Sequence, residues 1–129
     1  MVLGKALDAV LGNAGQIESS QIKEEITKCF LEDEQVTGAY QTIRDQIVFT
    51  NKRFIYLDIQ GLSGKKQSLL SVPYRSVTSY AMQSAGSLDS NVEFFISCKQ
   101  MEYPITLKFK KGTDLQPLYN LISQMVLNV

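Results

Sequence analysis

The sequence predicts a mainly β protein with helices at its ends: a seven-stranded antiparallel β-barrel capped by a C-terminal helix and preceded by one or two short helices. Three observations predict it. The hydrophobic period is helical up to about Phe30, alternates from about Gln35 to Phe109, and returns to helical after Gly112. Short apolar runs in the middle are punctuated by turn-forming residues, as in a meander of strands. The last segment carries one apolar stripe, which needs a sheet to cover.

Val2/Leu3, Ala6/Leu7 and Val10/Leu11 recur every four residues and predict a first helix, stopped by Gly12-Asn13-Ala14-Gly15. Ser19-Ser20 are N-cap candidates for a second, with Ile22, Ile26, Cys29 and Phe30 on its inner face and Glu32-Asp33-Glu34 as a solvated exit. The strands then follow: Val36 to Ile43, Ile47 to Thr50 after the turn Arg44-Asp45, and Arg53 to Ile59 after the two-residue turn Asn51-Lys52. Asn51 is suited to that turn because Asn tolerates positive φ. Gln60 to Lys66 is a glycine-punctuated loop, Ser68 to Val72 a fourth strand ended by Pro73, and Val77 to Met82 a fifth. Residues 85–90 connect it to Val92–Cys98, and Tyr103 to Phe109 is the seventh, with Ile105, Leu107 and Phe109 facing inward. Leu115, Leu118, Ile122, Met125 and Val126 stripe the final helix, with Asp114 as N-cap and Pro117 in its first turn. The plan is one domain over 1–129: a helical extension (1–31), barrel strands (35–110) and a capping helix (114–128).

Composition narrows the function. Lys and Arg total 13 and Asp and Glu total 13, so the net charge is zero and no whole-molecule field draws the chain to nucleic acid. There is no His, the side chain best suited to proton transfer at neutral pH, and no metal-ligand spacing. The expectation is no catalytic residue, no metal and no cofactor. Cys29 and Cys98 fall within apolar patterns and read as reduced core thiols. No secretory signal, myristoylation or prenylation pattern is present, which predicts a cytoplasmic protein. Gly61-Leu62-Ser63-Gly64-Lys65-Lys66 lacks the spacing, the terminal Lys-Ser/Thr and the following helix of a phosphate-binding loop, so it reads as a hairpin connection. A barrel of this size fills with its own side chains, which argues against a small-ligand carrier.

The run from Ile43 to Lys66, containing Arg44-Asp45, Phe49-Thr50-Asn51-Lys52-Arg53 and Gly64-Lys65-Lys66, is followed by Pro73-Tyr74-Arg75-Ser76. In that order and spacing these words resemble the bacterial pleckstrin-homology (PH) domain family. Leu7 to Asn13 is similar to that family's usual start. Phe54 and Ser63 depart conservatively, standing where the family tends to carry an aliphatic residue and Thr. The resemblance implies a PH-like barrel with a capping helix, no enzymatic activity, assembly into a cyclic homo-oligomer, commonly a pentamer, and a polar surface for protein partners.

The candidate interaction residues are Arg44, Asp45, Thr50, Asn51, Lys52, Arg53, Lys65, Lys66, Tyr74 and Arg75. By residue type alone they read as turn formers and solvated surface; the resemblance shifts them toward an interaction surface. Matched strand lengths place Arg44 and Lys52 at opposite ends of the sheet. The alternative is a peripheral membrane module reading anionic lipid headgroups through Lys52, Arg53, Lys65, Lys66 and Arg75, although Asp45 neutralises Arg44 and few cations converge. The first helix, with Lys5 opposed by Asp8, reads as packing on its own domain or a neighbouring subunit in preference to a membrane.

Overall fold

The computed structural model describes residues 15–83 and 91–128. Strands begin where the period changes: β1 (Val36–Gln41), β2 (Gln46–Thr50), β3 (Arg53–Gln60), β4 (Lys66–Pro73), β5 (Val77–Gln83), β6 (Val92–Cys98) and β7 (Ile105–Phe109). β1 stops at Gln41, short of Ile43, because Thr42 turns onto the connection: its N–H donates to the Asp45 carbonyl (2.9 Å) and its hydroxyl accepts the Asp45 N–H (2.8 Å). β7 starts at Ile105, since Pro104 has no N–H for a ladder.

All pairings are antiparallel, in one sheet of order β1-β2-β3-β4 and a second of order β5-β6-β7. The seven strands do not close into one continuous ladder. The outer edge of β1 is taken by residues 15–17: Gln16 bridges Tyr40, and the Ile17 N–H donates to the Ala39 carbonyl (3.1 Å). Gly15, at φ +103°, makes this possible, since an added Cβ would lie 3.1 Å from the Phe109 ring. Across the seam to β7 runs one backbone bond among the described residues, from the Ile43 N–H to the Lys108 carbonyl (3.0 Å).

The first sheet is apolar on both faces, which is why β2 is buried along its whole length. Ile47, Phe49, Phe54 and Tyr56 face the core shared with Phe94, Leu107 and Phe109, whereas Val48, Ile55 and Leu57 face Ile17, Ile22 and Ile26 of the N-terminal strap. That strap holds a 3₁₀ turn (Ser19–Gln21) and one α-turn, α1 (Glu24–Thr27), in place of the continuous helix expected from Ser19-Ser20. The Gln46 side chain breaks it: its Oε1 accepts the Lys23 N–H (2.9 Å) and its Nε2 donates to the Gln21 carbonyl (3.1 Å).

The terminal helix α2 (Gln116–Leu127) inserts Leu118 and Ile122, both fully buried, into the shared core. Pro117 lies in its first turn, but Leu115 occupies the N-cap position expected for Asp114, whose Oδ1 accepts the Gln116 N–H (3.0 Å). The Tyr80 hydroxyl donates to Ser123 Oγ (2.7 Å) and ties β5 to α2. Gly38 lets α2 approach β1, because Leu121 Cδ2 takes the space that a Cβ at this position would fill. The expected first helix and the connector at 85–90 lie outside the described residues.

Candidate functional site

Antiparallel meanders put alternate turns at opposite ends, and the candidate residues divide accordingly. Thr50, Asn51, Lys52, Arg53, Tyr74 and Arg75 gather at one end; Arg44, Asp45, Lys65 and Lys66 belong to the connections at the other.

At the first end the β2–β3 ladder closes with Phe49 opposite Phe54, which leaves a four-residue loop rather than a two-residue turn. Asn51 therefore does not adopt positive φ; among the described non-glycine residues Gln100 does. Thr50, fully buried, organises the loop: its Oγ1 accepts the N–H groups of Lys52 and Arg53 (3.1 Å each) and donates to Glu34 Oε2 (2.6 Å). The Arg53 guanidinium grips the same carboxylate twice, Nε to Oε2 (2.9 Å) and Nη2 to Oε1 (2.8 Å), and also donates to the Cys29 carbonyl (2.6 Å). Glu34, expected as part of a solvated exit, has no exposed side-chain surface. Arg53 is the main reason its carboxyl is held down at about 2, with the Thr50 hydroxyl and the Leu31 N–H adding to it against the opposing effect of burial. The Tyr74 hydroxyl donates to the Thr50 carbonyl (2.6 Å), and burial pushes its titration well above the ordinary phenol value. Lys52 pairs with Asp33 (3.0 Å), and Asn51 Oδ1 accepts the Gln35 N–H (2.8 Å). Thr50 and Arg53 thus fasten the strap to the sheet and Tyr74 anchors the loop that carries them, while Arg75 stays exposed.

At the second end Asp45 is an internal staple. Its Oδ2 accepts the Tyr56 hydroxyl (2.7 Å) and its Oδ1 the Ile59 N–H (2.8 Å), so the first hairpin is tied to the end of β3. Burial, then the Asp45 contact, raises the Tyr56 phenol far above its usual range. Arg44 reaches the Gly61 carbonyl across the β3–β4 connection. Lys65 and Lys66 are exposed, and Leu62 between the two positive-φ glycines Gly61 and Gly64 is fully exposed.

Sequence reasoning missed Glu34, Gln46 and Tyr56 as organising residues. One signal was present for Tyr56: alternation from the buried Phe54 places it on the inner face, near the Asp45 turn. Among the described residues no group of three or more Cys, Asp or Glu is placed to hold a metal ion, and no helix is long and apolar enough to cross a membrane. Cys29 and Cys98 are free thiols, Cys98 buried and shifted upward by that burial.

Two antiparallel sheets, a terminal helix set into their shared core and polar turns at both ends define a PH-like domain. The chain belongs to the bacterial PH domain family, whose model matches residues 5–126. It is 35% identical over 118 residues to the uncharacterized protein YjqA of Bacillus subtilis strain 168, covering 91% of this chain and 94% of that protein. It also resembles the crystal structures of a PH domain from Shewanella amazonensis SB2B (TM-score 0.74, 31% identity, 94% of this chain and 98% of that one) and of a duf1696 family protein with a pleckstrin-homology domain from Shewanella loihica PV-4 (TM-score 0.71, 35% identity, 88% and 97%).

Proposed function

We propose that this PH-like domain is a non-enzymatic cytoplasmic scaffold: it assembles into a cyclic homo-oligomer, most simply a pentamer, and presents polar turn residues to a protein partner. The observation that carries the reading is the pair of open sheet edges. β4 bonds to β3 alone and β5 to β6 alone among the described strands. Lys66, Gln67, Ser68 and Leu69 of β4 are exposed, as are Thr78, Ser79, Ala81, Met82 and Gln83 of β5. Leu69 keeps 42% of its surface in water and Met82 41%. Long unprotected edges invite strand pairing. The two edges differ, so pairing β4 of one copy with β5 of the next is a head-to-tail contact, which closes into a ring when the rotation per copy permits.

The partner surface is then the polar groups the fold leaves outside, Lys65, Lys66 and Arg75 with the exposed parts of Arg44, Asn51 and Lys52. The lipid-headgroup alternative has less support: of its five cations, Lys52 is paired with Asp33 and Arg53 with Glu34. Light scattering on the purified chain tests assembly. A multiple of the chain mass is expected for the wild type and a smaller species for Leu69→Lys/Met82→Lys; a wild-type monomer at micromolar concentration overturns the ring.

A further inference from the structure

At the second end, where Ile43 bonds to the Lys108 carbonyl, the seam between the sheets opens into a cleft of about 480 Å³. Its walls include Ile43, Arg44, Asp45, Asp58, Gly61 and Lys108. The β3–β4 connection beside it is tied down on both sides of its tip. Arg44 donates to the Gly61 carbonyl, the Lys65 N–H to Ser63 Oγ (3.3 Å), and Gln67 Nε2 to the Gly64 carbonyl (3.4 Å). These bonds hold Leu62, fully exposed, next to a cleft that its own chain leaves unfilled. Ile43, 49% exposed, is an apolar wall of the same cleft.

The cleft carries both signs of charge. Arg44 and Lys108 bring two cations, Asp45 and Asp58 two carboxylates, and none of the four belongs to a described ion pair. Hydrogen bonds from Tyr56, Ile59 and Gln60 orient the carboxylates and leave their charge in place. Such a lining favours no ligand of one sign; it matches a surface with the same four charges. A two-fold contact supplies that surface, since residue i of one copy meets residue j of the other and the reverse. Lys65 and Lys66, exposed on the same loop, are the charges that oppose it.

We infer that a second copy of this chain docks here about a two-fold axis, each copy setting its Leu62 into the other's cleft and its Lys108 against the other's Asp58. Each cleft is then completed by a residue of the neighbouring copy, and two exposed leucines leave water together. The inference goes beyond the proposed ring, which uses the edges of β4 and β5. Where both contacts form, two rings join face to face.

Sedimentation velocity on the full chain tests it. An even number of copies is expected for the wild type, and a two-copy species for Leu69→Lys/Met82→Lys. Leu62→Ser, at a side chain fully exposed within its own chain, keeps the melting temperature. It is expected to weaken the two-copy association by about tenfold or more, the loss that follows when a buried leucine contact is removed. Lys108→Asp and Asp58→Lys are each expected to weaken it as well. Asp58→Lys/Lys108→Asp restores it, because the swapped pair is again complementary to itself. Lys65→Gln/Lys66→Gln tightens it.

An association indifferent to Leu62→Ser overturns the contact, as does a double swap no better than either single variant. Leu62-dependent binding to phosphatidylserine vesicles by a chain that forms no two-copy species also overturns it, and assigns the leucine to lipid. The two claims fail separately. A wild-type two-copy species that Leu62→Ser abolishes and Leu69→Lys/Met82→Lys leaves intact refutes the ring alone. A ring of odd copy number that ignores Leu62→Ser refutes this contact alone.

Discussion

Replacing Arg53 by Met leaves the Glu34 carboxylate in place, without exposed surface and without its two guanidinium bonds. Breaking one partner of a buried pair costs about 3–5 kcal/mol, because the remaining charge stays desolvated. Arg53 keeps 22% of its side-chain surface exposed, which places the expected loss near the lower end, about 3 kcal/mol. For a chain of this size that is a fall of ~10 °C in melting temperature. The sign with pH is fixed by the direction of the shift. Glu34 titrates at about 2 when folded against 4.5 when unfolded, so its contribution is complete above pH 4.5 and lost as the pH falls toward 2. In Arg53→Met the buried carboxylate prefers its proton, so the deficit relative to wild type narrows on acidification. Glu34→Gln/Arg53→Met, with no charge left to desolvate, is expected to recover part of the loss. Urea unfolding at pH 7 and pH 3 measures all of this. A deficit under about 1 kcal/mol, the range of surface pairs, or one that does not change with pH, refutes the argument.

Leu118→Ala, at a fully buried contact between α2 and both sheets, is expected to cost about 2–5 kcal/mol in urea unfolding, and Leu118→Asp to abolish the folded circular-dichroism spectrum. Asp45→Ala orphans the Tyr56 hydroxyl and the Ile59 N–H and is expected to cost about 1–3 kcal/mol. The same variant brings the Tyr56 phenol back toward its ordinary value in a spectrophotometric titration, since Asp45 helps to raise it. Gly38→Ala sets a methyl against Leu121; because Leu121 can turn aside, the expected loss is at the low end of overpacking, about 1 kcal/mol, read by thermal melting.

What the sequence made legible follows periodicity. β6 and β7 alternate, because one face is core and the other is not, and that alternation alone marks β6 at Val92–Cys98, the bounds it has in the structure. β2 and β3 read as apolar runs because the strap covers the face a meander would leave wet. The strap itself was hidden: Ile22, Ile26, Cys29 and Phe30 have helical spacing, and nothing local reveals that Gln46, twenty or more residues later, takes the backbone groups a longer helix needs. Charge was misleading for the same reason. Glu34 sits in an acidic run, and its burial depends on Arg53 and Thr50, brought to it by the sheet. The opposite placement of the Arg44 and Lys52 turns was readable from strand length alone, and the structure has it so.

The proposed ring requires the outer edges of β4 and β5 to pair between neighbouring copies. Amide hydrogen exchange followed residue by residue over 66–73 and 77–83, at concentrations above and below dissociation, tests it most directly. Protection of the outward-facing N–H groups of both strands that appears together and fades on dilution is the predicted result. Rapid exchange at those positions at every concentration, with the β3–β4 and β5–β6 ladders still protected, would contradict it.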